Sequence, residues 1–162
     1  MLSGLAWLLG MQRSLPALRR LRRPAAALFL CLTLGLGLLV HGVFKDHWGR
    51  ARPVQVEAFG GQATFTSPLQ PSQACRSNCS FVSGHAGTGF ALIAVGTLGC
   101  LATRRRWFWI GTLGGAVLGS LRIAQGGHFL SDILFAWLML WGVSLAIRAV
   151  WTRALALRRR QR

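Results

Sequence analysis

Three cations, two histidines and one carboxylate stand out in this 162-residue chain. Lys45 and Arg52 lie seven residues apart, with Arg50 between them and Pro53 next. Ser83-Gly84-His85 precedes a long apolar run. Arg122 comes six residues before His128, across Gly126-Gly127, and Asp132 lies four beyond His128. If 45–52 is helical, Lys45 and Arg52 share a face and make an anion site. The Arg122 guanidinium suits bidentate phosphate binding. On a helix, Asp132 reaches the His128 imidazole, fixes its tautomer and leaves the other nitrogen free to attack. Backbone N–H groups at Gly84, with the Ser83 hydroxyl, can hold phosphate oxygens. His85 can then protonate a leaving oxygen. Each signal also has a plainer reading. The cations can snorkel at a membrane edge, Ser83 can be an ordinary N-cap, and His128 and Asp132 can merely cap a helix start.

The elements that must position these residues are apolar. The chain is 52% hydrophobic yet carries a formal net charge of +16. A membrane protein combines the two when charges are confined to loops. Arginines cluster at 19–23, 104–106 and 158–162, at the ends of apolar stretches. Such clusters are topology signals and contacts for anionic head groups, not the arm of a nucleic-acid binder. Only Asp46, Glu57 and Asp132 are acidic, and Asp132 opens an apolar run. A carboxylate there is costly and marks function.

The pattern predicts an all-α integral membrane bundle of about four spans: 24–44, 86–103, 107–124 and 129–151. An interfacial segment (1–23) precedes a catalytic region (24–151), and a basic cytoplasmic tail (152–162) follows it. The first run of 21 residues is about 30 Å long, enough for one crossing. Residues 45–82, rich in Pro, Gly, Ser, Thr and Gln, predict an extramembrane loop. Gly111, Gly114, Gly115 and Gly119 predict a close-packing helix face. With all three arginine clusters cytoplasmic, every chemical residue falls on the opposite side. Cys75 and Cys79 could be two metal ligands, but no further cluster completes a site. A loop-stapling disulfide is the better reading in an oxidising compartment. Cys31 and Cys100 read as small buried hydrophobes.

Taken together and in this order, the motifs resemble the type 2 phosphatidic acid phosphatase superfamily, whose pattern is K-x6-R-P, then P-S-G-H, then S-R-x5-H-x3-D. Lys45 to Arg52-Pro53 completes the first block. Val82-Ser83-Gly84-His85 matches the second with valine for proline, and Leu121-Arg122 to His128 and Asp132 matches the third with leucine for serine. The resemblance covers about residues 25–150. It implies that Lys45, Arg52 and Arg122 bind phosphate and that Ser83 and Gly84 complete the cradle. His128 would be the nucleophile, Asp132 its orienting partner and His85 the general acid, with no metal and no other cofactor. Integral-membrane members usually have six helices; self-association into a homo-oligomer is one way to replace the missing pair. The expected partners are therefore the bilayer and a lipid phosphate such as lipid A, undecaprenyl diphosphate, phosphatidylglycerol phosphate or phosphatidic acid. The Trp48-Gly49-Arg50 stretch, the Phe59-Gly60-Gly61 loop and the Cys75/Cys79 pair point to lipid A. The expected location is a bacterial inner membrane with the site facing the periplasm. Rivals are a lipid phosphotransferase using the same intermediate, a vanadate-dependent haloperoxidase, and a non-catalytic membrane scaffold or channel subunit.

Overall fold

Helix α1 (Pro16–Leu30) runs directly into a π-helical stretch (Cys31–Lys45) in the computed structural model, which describes residues 16–45 and 47–161. Two long helices follow later in the chain, α4 (Leu101–Ala124) and α5 (Leu130–Arg160). Arg20–Lys45, Leu101–Ala124 and Leu130–Arg160 are each long and apolar enough to cross a membrane. Their outer faces expose Leu34, Leu38, Val117, Leu138 and Val150. Helices satisfy their own backbone groups, so such faces can meet lipid. The expected interfacial segment lies largely outside the described residues, as does Asp46. Pro24, expected to open the first span, sits inside α1 instead.

The expected span 86–103 is not one helix. It forms two short ones, α2 (Gly84–Phe90) and α3 (Ile93–Thr97), separated by a turn at Ala91-Leu92. Glycine is the physical reason. Gly84, Gly87, Gly89, Gly96 and Gly99 weaken this run as a helix and let it press against its neighbours. A Cβ on Gly89 would stand 2.6 Å from the Gly115 backbone, and one on Gly96 2.6 Å from Trp107. The described residues therefore hold three helices long enough to cross a membrane, plus a broken arm packed among them. Arg104, Arg105 and Arg106 belong to the first turns of α4 rather than to a separate loop.

The predicted glycine face of α4 is used. Gly115 receives the Phe90 ring, Gly111 approaches the backbone of Ile93, and Gly119 meets Ile133. Gly114 is looser, with only Leu92 near it. On the other side of the core, fully buried Leu140 fills the space left by Gly35 and Gly87. Among the described residues there is no strand; one isolated bridge joins Val56 to Ala63.

The loop 47–83 is irregular apart from short turns at Pro53–Gln55 and Glu57–Phe59. It is nonetheless pinned. Trp48 stacks on Phe81, and Phe81 in turn meets Phe44 and Phe135. Trp48 Nε1 donates to the Pro68 carbonyl at 2.9 Å. Gly49 adopts φ +68°, and a side chain there would collide with the Ser72 carbonyl. Only glycine fits that turn. Cys75 and Cys79 are joined as a disulfide, with Cα atoms 5.6 Å apart.

Candidate active site

Asp132 is fully buried in the first turn of α5. Its Oδ1 accepts from Arg50 Nη1 at 2.5 Å. Its Oδ2 accepts from Ser80 Oγ at 2.5 Å and from the Phe129 N–H at 2.9 Å. Arg50 also donates from Nε to the Thr66 carbonyl and from Nη1 to Ser131 Oγ. Its guanidinium lies over the Phe129 ring, 4.2 Å from the centroid. One arginine thus ties the loop to the start of α5. The sequence reading left Arg50 without a role. The available signal was the lone carboxylate at the head of an apolar helix, which needs a cation when buried.

His128 is 1% exposed. Its Nδ1 stands 3.6 Å from Asp132 Oδ2, close but longer than a hydrogen bond. Neither ring nitrogen has a hydrogen-bond partner among the described residues. The predicted pairing with Asp132 is therefore one of proximity, since the carboxylate already serves Arg50, Ser80 and the Phe129 amide. Position 128 is set by the turn before it. Gly126 takes φ +63°, its carbonyl accepts from the Val54 N–H at 3.2 Å, and Gly127 leaves room for the Arg122 guanidinium.

The other predicted residues converge on the same end. Arg122 Nη1 donates to Gln125 Oε1 at 2.5 Å, and its Nη2 would lie 2.9 Å from a Cβ on Gly127. Arg52 Nη2 donates to the Asn78 carbonyl at 2.8 Å. Lys45 closes the π-helical stretch, and its Nζ would lie 3.8 Å from a Cβ on Gly84. Gly84 also faces His41, whose Nε2 would approach that Cβ to 3.2 Å. Sequence reasoning missed His41; its place four residues before Lys45, on the same helical face, was the clue. Ser83 caps α2 by accepting from the Ala86 N–H at 3.4 Å. That is the plain N-cap reading, and it leaves the hydroxyl proton free to be donated.

His85 shows that these groups form one field. It is exposed at the start of α2. Partial desolvation, then the nearby Arg122, Lys45, His128 and Arg52, hold its imidazole below the ordinary range. A cavity of about 450 Å³ opens beside His128, lined largely by apolar side chains including Val54, Phe59, Ile123 and Leu130. The arrangement offers clustered positive charge, an imidazole with unpartnered nitrogens and a second imidazole at the rim. It can hold an anion, attack it and supply a proton.

A family profile described as the PAP2 superfamily matches residues 26–156. A "Lipid A 4'-phosphatase" of Francisella tularensis subsp. novicida is 50% identical over 109 residues, 65% of this chain and 48% of that protein. Proteins of the same description from Rhizobium leguminosarum and Rhizobium etli are 37% and 36% identical over 113 residues each. The chain spans a little under half the length of these relatives, since the matches cover 48%, 46% and 42% of them. No solved structure matches it.

Proposed function

Because the chain belongs to the PAP2 superfamily, we propose that it is a multi-pass membrane phosphatase that removes phosphate from a lipid, with lipid A as the leading substrate. The observation that carries this reading is the buried His128, whose ring nitrogens have no partner among the described residues, beside a largely apolar cavity, with the Arg122 guanidinium against Gly127 and the Lys45 ammonium against Gly84. The cations meet the charge of the phosphate, and Ser83 and Gly84 close the cradle. His128 attacks phosphorus with Nε2, since Nδ1 is the nitrogen turned to Asp132. As the P–N bond forms and the ester P–O bond breaks, His85 gives its proton to the leaving oxygen. Water then attacks the phosphohistidine, passes a proton to His85 and releases inorganic phosphate. Asp132 and Arg50 position His128 rather than react. The fixed cations supply the electrostatic stabilisation of the transition state without a metal. Acyl chains of the substrate lie along the apolar cavity and the helix faces below it.

The arginine distribution supports a site on the periplasmic side of a bacterial inner membrane. Arg104–106 and Arg158–160 sit at the far ends of α4 and α5 from the candidate site. A membrane-impermeant thiol reagent, added after reduction, is expected to label Cys75 or Cys79 from outside; labelling from the cytoplasm alone reverses the orientation.

The deciding experiment is phosphate release by purified protein from lipid A, undecaprenyl diphosphate, phosphatidylglycerol phosphate and phosphatidic acid, with chelator present. Lipid A is expected to release free phosphate, and His128→Ala to lose the activity by roughly 10³-fold or more. Strict metal dependence, or phosphate passing to an acceptor lipid with none free in solution, overturns the hydrolytic mechanism.

A further inference from the structure

A second cluster of arginines faces a cavity that the proposed reaction does not use. It lies between α3, α4 and α5, has a volume of about 530 Å³, and is lined by Arg104, Arg105 and Arg148 with Thr97, Ser144 and Trp141 among the rest. We propose that it binds an anionic phospholipid through the phosphodiester of its head group. Arg148 lies 16 residues beyond Asp132 on α5, which puts this cavity about 24 Å along the helix from the candidate active site.

Three observations point to an anion from outside the chain. First, the chain has only three acids, Asp46, Glu57 and Asp132. Neither of the two described acids, Glu57 and Asp132, lines this cavity, and Asp132 is held by Arg50. Second, Arg104 Nε is buried without a hydrogen-bond partner among the described residues. Third, Ser144 is 1% exposed, and although its carbonyl accepts from Thr97 its Oγ lacks a partner among the described residues. A buried donor left unmade costs about 1–3 kcal/mol, more when charged. A phosphodiester brings several acceptor oxygens for such donors, and the forked N–H array of arginine matches it.

A lipid, rather than a free anion, follows from where the cavity opens. Leu101 and Leu145 line it and also expose their side chains by 72% and 47% on the outer helix faces. A phosphate seated between the arginines therefore has apolar surface beside it on which acyl chains can lie. Basic pockets between membrane helices bind lipid head groups in this way.

The test is native mass spectrometry of the purified 162-residue chain in detergent, titrated with phosphatidylglycerol or phosphatidylcholine. The protein is expected to retain one phosphatidylglycerol, and phosphatidylcholine far less. Arg104→Gln/Arg148→Gln is expected to weaken phosphatidylglycerol binding by about tenfold or more. Arg106→Gln/Arg153→Gln removes the same charge outside the cavity and is expected to leave binding unchanged. Inorganic phosphate at the same concentration is not expected to displace the lipid. Equal retention of both lipids, an unaffected Arg104/Arg148 variant, equal loss in the control, or displacement by inorganic phosphate would each overturn the proposal. If the double variant fails to fold, Ser144→Ala decides: reduced retention supports the site and unchanged retention rejects it.

Discussion

Both ends of the helices gather arginines, but only one end supplies a buried carboxylate. At the candidate active site, Asp132 engages Arg50, and that pair fixes the loop, the Gly126-Gly127 turn and His128 in one arrangement. The neighbouring Arg52 and Arg122 lean on a carbonyl and an amide oxygen instead, so their charge is not cancelled. At the opposite end, the cavity lined by Arg104, Arg105 and Arg148 has no acid among the described residues. The difference separates two uses of one side chain. An arginine paired with a buried acid positions its surroundings, while one aimed into open space without a counter-charge receives an anion.

Breaking the buried pair should have the largest effect on the fold. Arg50→Met leaves Asp132 uncompensated and is expected to cost about 3–5 kcal/mol of stability. The double change Arg50→Met/Asp132→Leu should recover most of that in a denaturant or thermal melt, because a buried ion pair and an apolar pair of similar volume are often equivalent. Phosphatase activity should stay lost, since nothing then sets His128. Arg104→Gln/Arg148→Gln should change stability in zwitterionic detergent by less than about 1 kcal/mol, as no partner is orphaned. Equal losses at the two ends would erase the distinction between positioning and receiving arginines.

The same contrast explains what the sequence revealed. The spacing of Lys45, Arg52, Arg122, His128 and Asp132 was legible because motif residues sit where helices end, and charge bias puts those ends on one side. The glycine face of α4 was legible from its period. The break between α2 and α3 was not. Residues 86–103 are uncharged and mostly apolar, and hydropathy alone does not register glycines that trade helix continuity for contact with Gly115 and Trp107. Arg50 was hidden for another reason. Its importance lies in a partner 82 residues away, and no local pattern specifies a contact made by a loop folding back over helix ends. His41 was hidden because a histidine in an apolar run reads as core until Gly84 is seen beside it.

A smaller effect should come from the receiving arginines at the candidate active site. Arg122→Gln keeps a polar, though shorter, side chain but removes the charge, and inhibition by orthovanadate is expected to weaken by about 10–100-fold. Arg122→Lys should recover part of this, because charge returns without the fork. Arg105→Gln, at the far cavity, should leave vanadate inhibition unchanged. An Arg122 variant with normal inhibition would assign that guanidinium to holding the Gln125 turn alone.

The finest test is a titration of His85. Partial desolvation, and after it the positive charges of neighbours such as Arg122 and Lys45, disfavour its protonated form, so its pKa lies below the ordinary imidazole value of about 6.5. The sign for folding follows: as pH falls through the ordinary range, the unfolded chain takes up this proton before the folded one does, so the contribution of this group to stability declines towards acid. An anion in the pocket reverses the field. Histidine NMR should show the His85 midpoint below the ordinary value in the free protein and higher once orthovanadate is bound, with proton uptake on binding. A midpoint that does not move would mean that the anion sits elsewhere. If it moves, the pocket loads its own acid: phosphate brings the negative charge that lets His85 hold the proton its leaving group will need.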